Sequence, residues 1–313
     1  MAAQWPDRVE EIVSGDHVAM LAYVTPASGV VLLPLSNLGV HDRTRATVTL
    51  NSSVAAWRKL ERMRRNPRVA LVFHTREHSS TDRPEYVLVQ GTAALSEPIP
   101  DYPDRYPTGW ENFENWPELG QLWRRWLRVW AIRVAIEVAA ERVIVWPNLG
   151  CRGKPEVNGT PPPPGPPRSQ RPPGRGTGPR INHGWAARRA ARLPNRLLGW
   201  VDADGFPFVV PVDVAGSDEH GILLESPAAL VPPGGRRAGL TAHWFSRGVV
   251  GQNQRKHTGW LEARPGERRV VYAPHTKSNY RFPASRRLFL FVAGGVTRWW
   301  IRAARRAGIA PAD

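Results

Sequence analysis

Between Pro155 and Pro179 the chain carries the run GTPPPPGPPRSQRPPGRGTGP, and proline and glycine at that density leave no room for a helix or a strand. The segment is expected to be an extended, rather stiff linker. Whatever core the protein has must then be built on either side of it, which predicts a first domain over residues 1–154, a linker over 155–181 and a second domain over 182–313. At 313 residues, 42% of them hydrophobic, the chain is long enough to fill a core in each.

The first domain is organised around residues 45–95. In RATVTL, Ala46, Val48 and Leu50 alternate with polar residues, the period-two pattern of a strand with one apolar face. Asn51, Ser52 and Ser53 are good N-cap residues, and Val54, Trp57, Leu60 and Met63 then recur every third residue, which predicts a helix ended by Asn66-Pro67. Two strand-length apolar runs follow, RVALVF and EYVLVQGTAAL. Upstream, residues 5–15 form a short helix, and HVAMLAYVT and VVLLPLSN flank a Pro/Gly turn as a hairpin. Downstream, residues 101–128 are expected as a helical insertion with Leu119, Leu122, Trp123 and Trp126 on its packed face. VWAIRVAIEVAAERVIVW is expected as a long strand pair that closes the domain.

The run K-x-x-x-M-R-R-N-P-R-V-A-L-V, followed by Y-V-L-V-Q-G-T-A, resembles the core of the flavin-binding split β-barrel superfamily, which includes pyridoxamine 5'-phosphate oxidase-like proteins and deazaflavin-dependent reductases. The resemblance implies a small antiparallel barrel whose strand-helix junction and helix lysine, here Lys59, hold a cofactor phosphate. Trp57 departs from the pattern, because many members carry a small or hydroxyl residue two places before the lysine.

The same grammar returns after the linker. A basic helix, HGWAARRAARL, precedes LLGWV, the turn DADG and FPFVVPVDV; GILLE is a strand; PAALVPPGG replaces the first domain's helix. GGRRAGLTAHWF matches RNPRVALVFH, and RKHTGWLEAR matches EYVLVQGTAAL with Gly259 in the place of Gly91. RRVVYA adds a strand, and the tail from Arg286 is an amphipathic basic helix expected to pack on the second barrel rather than on a membrane surface. The fold class expected is therefore mainly β with α: two tandem split β-barrels with peripheral helices. Members of the family usually pair as homodimers with cofactor in the cleft between barrels, so two fused copies imply a pseudo-dimer within one chain that keeps only one functional cleft.

A net charge of +16 favours anionic partners, but the arginines are scattered, and no aromatic-interleaved basic motif or zinc-finger spacing supports specific nucleic-acid recognition. The single cysteine, Cys151, precludes an intrachain disulfide; the N-terminus has no signal-peptide pattern and no apolar run approaches the roughly 20 residues of a membrane helix. A cytoplasmic protein without a transmembrane segment is expected. His74 and His78 are expected on the surface, no His/Glu spacing suits zinc, and the G-x-S-x-G, G-x-G-x-x-G and Walker motifs are missing from the sequence, which removes hydrolase and kinase chemistry.

Cofactor chemistry remains. Thr47, Thr49 and Ser52 offer hydroxyls and Arg58 and Lys59 offer cations for one phosphate at the strand-helix junction. In the second barrel His243, Arg247, Lys256, His257, His275 and Lys277 concentrate near strand ends, with His243 and Lys256 expected to line the cleft; Gln90 and Tyr86 would join them from the first barrel. The resemblance implies a flavin- or deazaflavin-dependent oxidoreductase, using FMN or coenzyme F420, acting on a small organic acceptor. The alternative is a non-catalytic split-barrel protein that binds flavin, haem or another planar anionic ligand. A nucleic-acid-binding reading rests on net charge alone.

Overall fold

A computed structural model of the chain describes residues 4–106, 120–226, 230–246 and 251–306. Two eight-stranded antiparallel sheets follow one another. The first contains β1 (Val18–Val24), β2 (Val30–Ser36), β3 (His41–Asp42), β4 (Thr47–Ser53), β5 (Arg68–Phe73), β6 (Tyr86–Leu95), β7 (Arg133–Trp146) and β8 (Glu156–Gly159). The second contains β9 (Asn195–Val201), β10 (Pro207–Pro211), β11 (Asp213–Asp218), β12 (Gly221–Glu225), β13 (Gly234–Phe245), β14 (Gln252–Ala263), β15 (Arg269–Pro274) and β16 (Ser278–Phe282). Their spatial orders are β2-β1-β5-β6-β7-β4-β3 and β10-β9-β13-β14-β15-β12-β11, the same path taken twice. Only the accessory strands differ: β8 pairs with β7, whereas β16 pairs with β14.

The repeat extends to single atoms. Gly91 and Gly259 occupy the same place, and a Cβ on either would stand 2.1 Å from a neighbouring carbonyl oxygen, that of Ala139 or of Ala273. Only glycine lets the adjoining strand come so close. Each sheet wraps its own core: Leu21, Val48, Leu50, Leu71 and Val89 in the first, Leu198, Ile222, Leu240 and Tyr272 in the second. Helix α1 (Asp7–Gly15) adds Val9, Ile12 and Val13 to the first core, as its spacing predicts.

The two barrels share a third apolar cluster, in which Met20, Leu32, Tyr86, Leu88 and Trp146 meet Leu197 and Val209. A Cβ on Gly239 would sit 2.4 Å from the Val30 carbonyl oxygen, so the backbones of β13 and β2 nearly touch there. Tyr86 donates its hydroxyl to the Val209 carbonyl at 2.8 Å. Arg142, buried, donates Nε to the Gln90 side-chain oxygen at 2.6 Å and forms an ion pair with Asp204, while Gln90 donates to the Pro207 carbonyl at 2.7 Å. These bonds make the pseudo-dimer one packed body.

Several expectations are corrected. β4 continues through Asn51, Ser52 and Ser53, which pair with Ala135, Val134 and Arg133, so the turn comes later than the N-cap residues suggest. A 3-10 turn (Val54–Ala56), capped by the Ser53 hydroxyl accepting from the Ala55 N–H, then leads into α2 (Trp57–Arg65). The expected strand pair at 129–146 is one long strand, β7, because its first residues complete a helix. After α3 (Tyr102–Arg105), that helix is α4 (Gln121–Ala131), which buries Leu127, Trp130 and Ala131 and leaves Leu122 exposed; Leu119 lies outside the described residues. β8 forms inside the Pro/Gly-rich segment because Glu156–Gly159 precede its first proline run and find a free edge on β7. The rest of the segment lies across both barrels, Gln170 bonding to Ser28 and to the backbone of Gly235 and Arg237. The basic helix of the second half is α5 (His183–Ala191), and the C-terminal helix is α6 (Arg286–Arg306). α6 packs chiefly on α4 and on the 3-10 turn of the first barrel, with Phe245 and Phe282 of the second barrel beneath it, because its apolar residues complete the cluster that Leu127 and Trp130 begin.

Candidate functional site

The first cleft lies where the end of β4 and the start of α2 face the second barrel. Lys59, one turn into α2, is buried, and half-buried Lys256 comes toward it from β14. Burial first, then the nearby charges of Lys256 and Arg133, pull the Lys59 ammonium down to about 7; burial pulls Lys256 down to about 8. Neither lysine has a hydrogen bond or ion pair among the described residues. A buried ammonium with a second positive charge acting on it and no carboxylate partner is costly, and an anion between the two removes the cost. α2 also carries Arg58, which is exposed and stacks on Trp57, 5.1 Å from the ring centroid.

The remaining site residues from the sequence are not gathered there in the same way. Val48 and Leu50 face the barrel core, so alternation sends Thr47 and Thr49 to the outer face, opposite Ala139 and Glu137, while Ser52 is buried on the inner side and donates its hydroxyl to the Ser53 carbonyl. Gln90 and Tyr86 are committed to the inter-barrel bonds described above. His257 donates Nδ1–H to the Thr276 carbonyl, His275 lies beside the Thr177 carbonyl, and Lys277 is exposed. Arg247 lies outside the described residues.

His243 is fully buried, and its Nε2 stands 2.7 Å from His74 Nε2. His74 is therefore not a surface residue: the end of β5 is covered by the second barrel. The two histidines are repeat equivalents, five residues beyond Val69 and Ala238, which face Gly91 and Gly259. Burial lowers both, His74 to about 4 with the Arg76 charge adding to the fall, and His243 well below the ordinary histidine value with His74 adding to it. His78, half-buried, contacts the Phe245 carbonyl. No group of His, Cys, Asp and Glu among the described residues is arranged to hold a metal. Cys151 is buried and its thiol pushed up by burial, which makes it inert.

Outward from the lysines, the first cleft is filled by the protein itself. Phe289, Leu290 and Ala293 of α6 and Leu127 and Trp130 of α4 pack against Val18, Ala135, Phe245 and Phe282. The equivalent cleft on the other side is open, with a volume of about 900 Å³. Counting from Val48 and Ile222, which face the equivalent residues Val138 and Tyr272, Ser226, which lines this groove, is the repeat equivalent of Ser52. His74, Arg152, Arg196, Arg268 and Arg269 line it. Arg196 and Arg269 are paired with Asp213 and Glu225 at 2.7 Å, whereas Arg152 and Arg268 have no carboxylate partner among the described residues. Sequence reasoning missed this groove. The repeat of VALVFH as AGLTAH was the signal that pointed to it, since a duplicated barrel pair has two clefts.

No family model matches the chain, and no curated protein is similar to it. Among solved structures, it is similar to a conserved hypothetical protein of Mycobacterium tuberculosis, at 19% identity over 50% of this chain and 91% of that one, with a TM-score of 0.35. A Clostridium acetobutylicum protein related to general stress protein 26, of the pyridoxinephosphate oxidase family, is 14% identical over 48% and 88% of the two chains, with a TM-score of 0.31. A FAD-binding protein of Mesorhizobium loti is 23% identical over 43% and 88%, with a TM-score of 0.28. By its own duplicated strand order, the chain carries one barrel-like antiparallel fold twice in tandem.

Proposed function

We propose that this chain is a flavin-class split-barrel protein of the cytoplasm, binding FMN or the deazaflavin F420 through its phosphate and serving hydride transfer to a small organic acceptor. The observation that carries the reading is the buried Lys59 with the charge of half-buried Lys256 acting on it from the other barrel, neither having a carboxylate partner among the described residues. The donor set fits a phosphate: two ammonium groups with Arg133 nearby and the start of α2 beside them. When bound, the cofactor supplies the hydride chemistry. Lys59 and Lys256 supply charge, and phosphate between them restores both to the fully protonated state. α4 and α6 keep water from that end of the cleft.

A second reading rests on the open groove. Its volume of about 900 Å³ suits a planar anionic ligand held beside Ser226, Arg152 and Arg268 without catalysis.

One titration separates the two readings. FMN and F420 are added separately to the purified protein, with quenching of cofactor fluorescence as the readout, and Lys59→Ala, Lys256→Ala and Arg268→Ala are run in parallel. Binding lost in both lysine variants and kept in Arg268→Ala supports the first reading. The reverse pattern supports carriage in the groove. Binding no tighter than to an unrelated basic protein overturns both.

A further inference from the structure

The outer surface formed by α4 and α6 has a composition unlike the rest of the molecule. α4, QLWRRWLRVWA, contains three arginines, and α6, RRLFLFVAGGVTRWWIRAARR, contains six; neither contains an aspartate or glutamate. Among the described residues, five of the eight large apolar side chains left exposed belong to these two helices: Leu122 at 86%, Leu288 at 56%, Phe291 at 61%, Trp299 at 66% and Trp300 at 38%. Isolated exposed apolar residues are ordinary, but a concentration of this kind marks a contact surface.

The exposed residues are ordered. At 100° per residue, Leu288, Phe291 and Trp299 fall within about 80° of one another around α6. The opposite side of the helix, with Phe289, Leu290 and Ala293, is already buried against Phe245 and Phe282, so the stripe is additional to what packing requires. Arg302 and Arg306, both exposed, continue it toward the C-terminal end. The two helices are held as one unit. Trp126 stacks on Phe291 with centroids 5.7 Å apart, Arg298 lies 3.9 Å over the Trp126 ring, and the Arg298 guanidinium donates to the Arg125 carbonyl at 3.3 Å. On α4, Arg125 and Arg128 are exposed, as is Leu122.

We propose that this helix pair docks the protein on the surface of an anionic lipid bilayer. Indole and phenyl rings favour the boundary between headgroups and acyl chains, and guanidinium groups on long stems reach the phosphates above it. The absence of any carboxylate from both helices gives the face the charge complementary to anionic lipid. At 21 residues α6 is long, yet among the described residues no helix is long and apolar enough to cross a membrane, so α6 lies along the bilayer plane. Charge alone suits nucleic acid equally well, but the apolar stripe favours lipid, because a phosphate backbone offers Leu122, Leu288 and Phe291 nothing to bury against.

The test is flotation of the full chain with vesicles of phosphatidylcholine alone and of phosphatidylcholine mixed with phosphatidylglycerol. Binding to the mixed vesicles is expected to be at least about tenfold tighter and to weaken with added salt. The double variant Leu288→Ser/Trp299→Ser is expected to lose about tenfold in vesicle binding. Its thermal midpoint is expected to match the parent, since both side chains are exposed. Failure to float with mixed vesicles overturns the proposal, as does flotation undiminished in the double variant. Binding of a labelled single-stranded oligonucleotide that disappears in that variant while vesicle binding is missing assigns the face to nucleic acid and also overturns it.

Discussion

His74 and His243, the same position in the two repeats, join the barrels through their Nε2 atoms at 2.7 Å, so one imidazole donates and the other accepts. A doubly protonated pair has no acceptor and cannot keep the bond.

The pH dependence of stability follows from this pair. An unfolded histidine protonates near ~6.5, whereas burial holds His74 at about 4 and His243 well below its ordinary value. Between those limits the unfolded chain binds more protons, so the pair's contribution is complete above about pH 6.5 and is lost as pH falls toward 4. Burial pushes the Asp16 carboxyl up to about 7 against the pull of Arg76, which gives an opposite slope. The expected outcome is therefore a difference: urea midpoints of the parent and of His74→Asn/His243→Asn, measured from pH 7.5 to 5, converge as pH falls. Parallel curves would refute it.

Lys59 and Lys256 set a second window. An unfolded lysine stays protonated to about pH 10.4, while in the folded chain the two sit at about 7 and about 8. Stability is thus expected to rise with pH from 7 toward 9 in a buffer without phosphate. Lys59→Met removes a buried ammonium and should stabilise the ligand-free protein by ~1–3 kcal/mol at pH 7. The same variant should abolish any rise in Tm caused by inorganic phosphate. A loss of stability in Lys59→Met would show that the lysine has a partner.

Arg142 couples the barrels through Gln90 and Asp204. Arg142→Ala leaves the buried Gln90 oxygen without its donor and should cost ~2–4 kcal/mol. Calorimetry should then resolve two unfolding transitions where the parent shows one, because Arg142 and Asp204 form the ion pair between the two barrels. A single transition in the variant would place the coupling elsewhere.

Gly91 and Gly259 offer a matched pair. A methyl at either meets a carbonyl oxygen at 2.1 Å, so Gly91→Ala and Gly259→Ala should each destabilise by ~2–4 kcal/mol, read as similar falls in urea midpoint. A cost at one site only would mean that the repeats are not mechanically equivalent.

The strands that bury a face were legible, because period-two alternation in RATVTL and unbroken apolar runs such as VALVF are local signals of burial. The duplication was legible too: VALVFH and AGLTAH place His74 and His243 alike, and Gly91 and Gly259 share a backbone constraint that only glycine meets. β11 and β16 escaped because they are short and mostly exposed, with little apolar pattern to mark them. The outward turn of Leu122 escaped because helical periodicity defines a stripe but not which stripe is covered.

Sequence by itself determined two antiparallel sheets, their repetition and a surplus of arginine, since propensity, alternation and charge are properties of neighbouring residues. Tertiary structure alone decided that the charge of Lys256 acts on Lys59, that His74 meets His243, that α4 and α6 fill one cleft and leave the other open, and that a stripe of Leu288, Phe291 and Trp299 faces outward. These relations join residues far apart in the chain across the packing of two barrels, and no local period in the sequence records which surfaces that packing brings together.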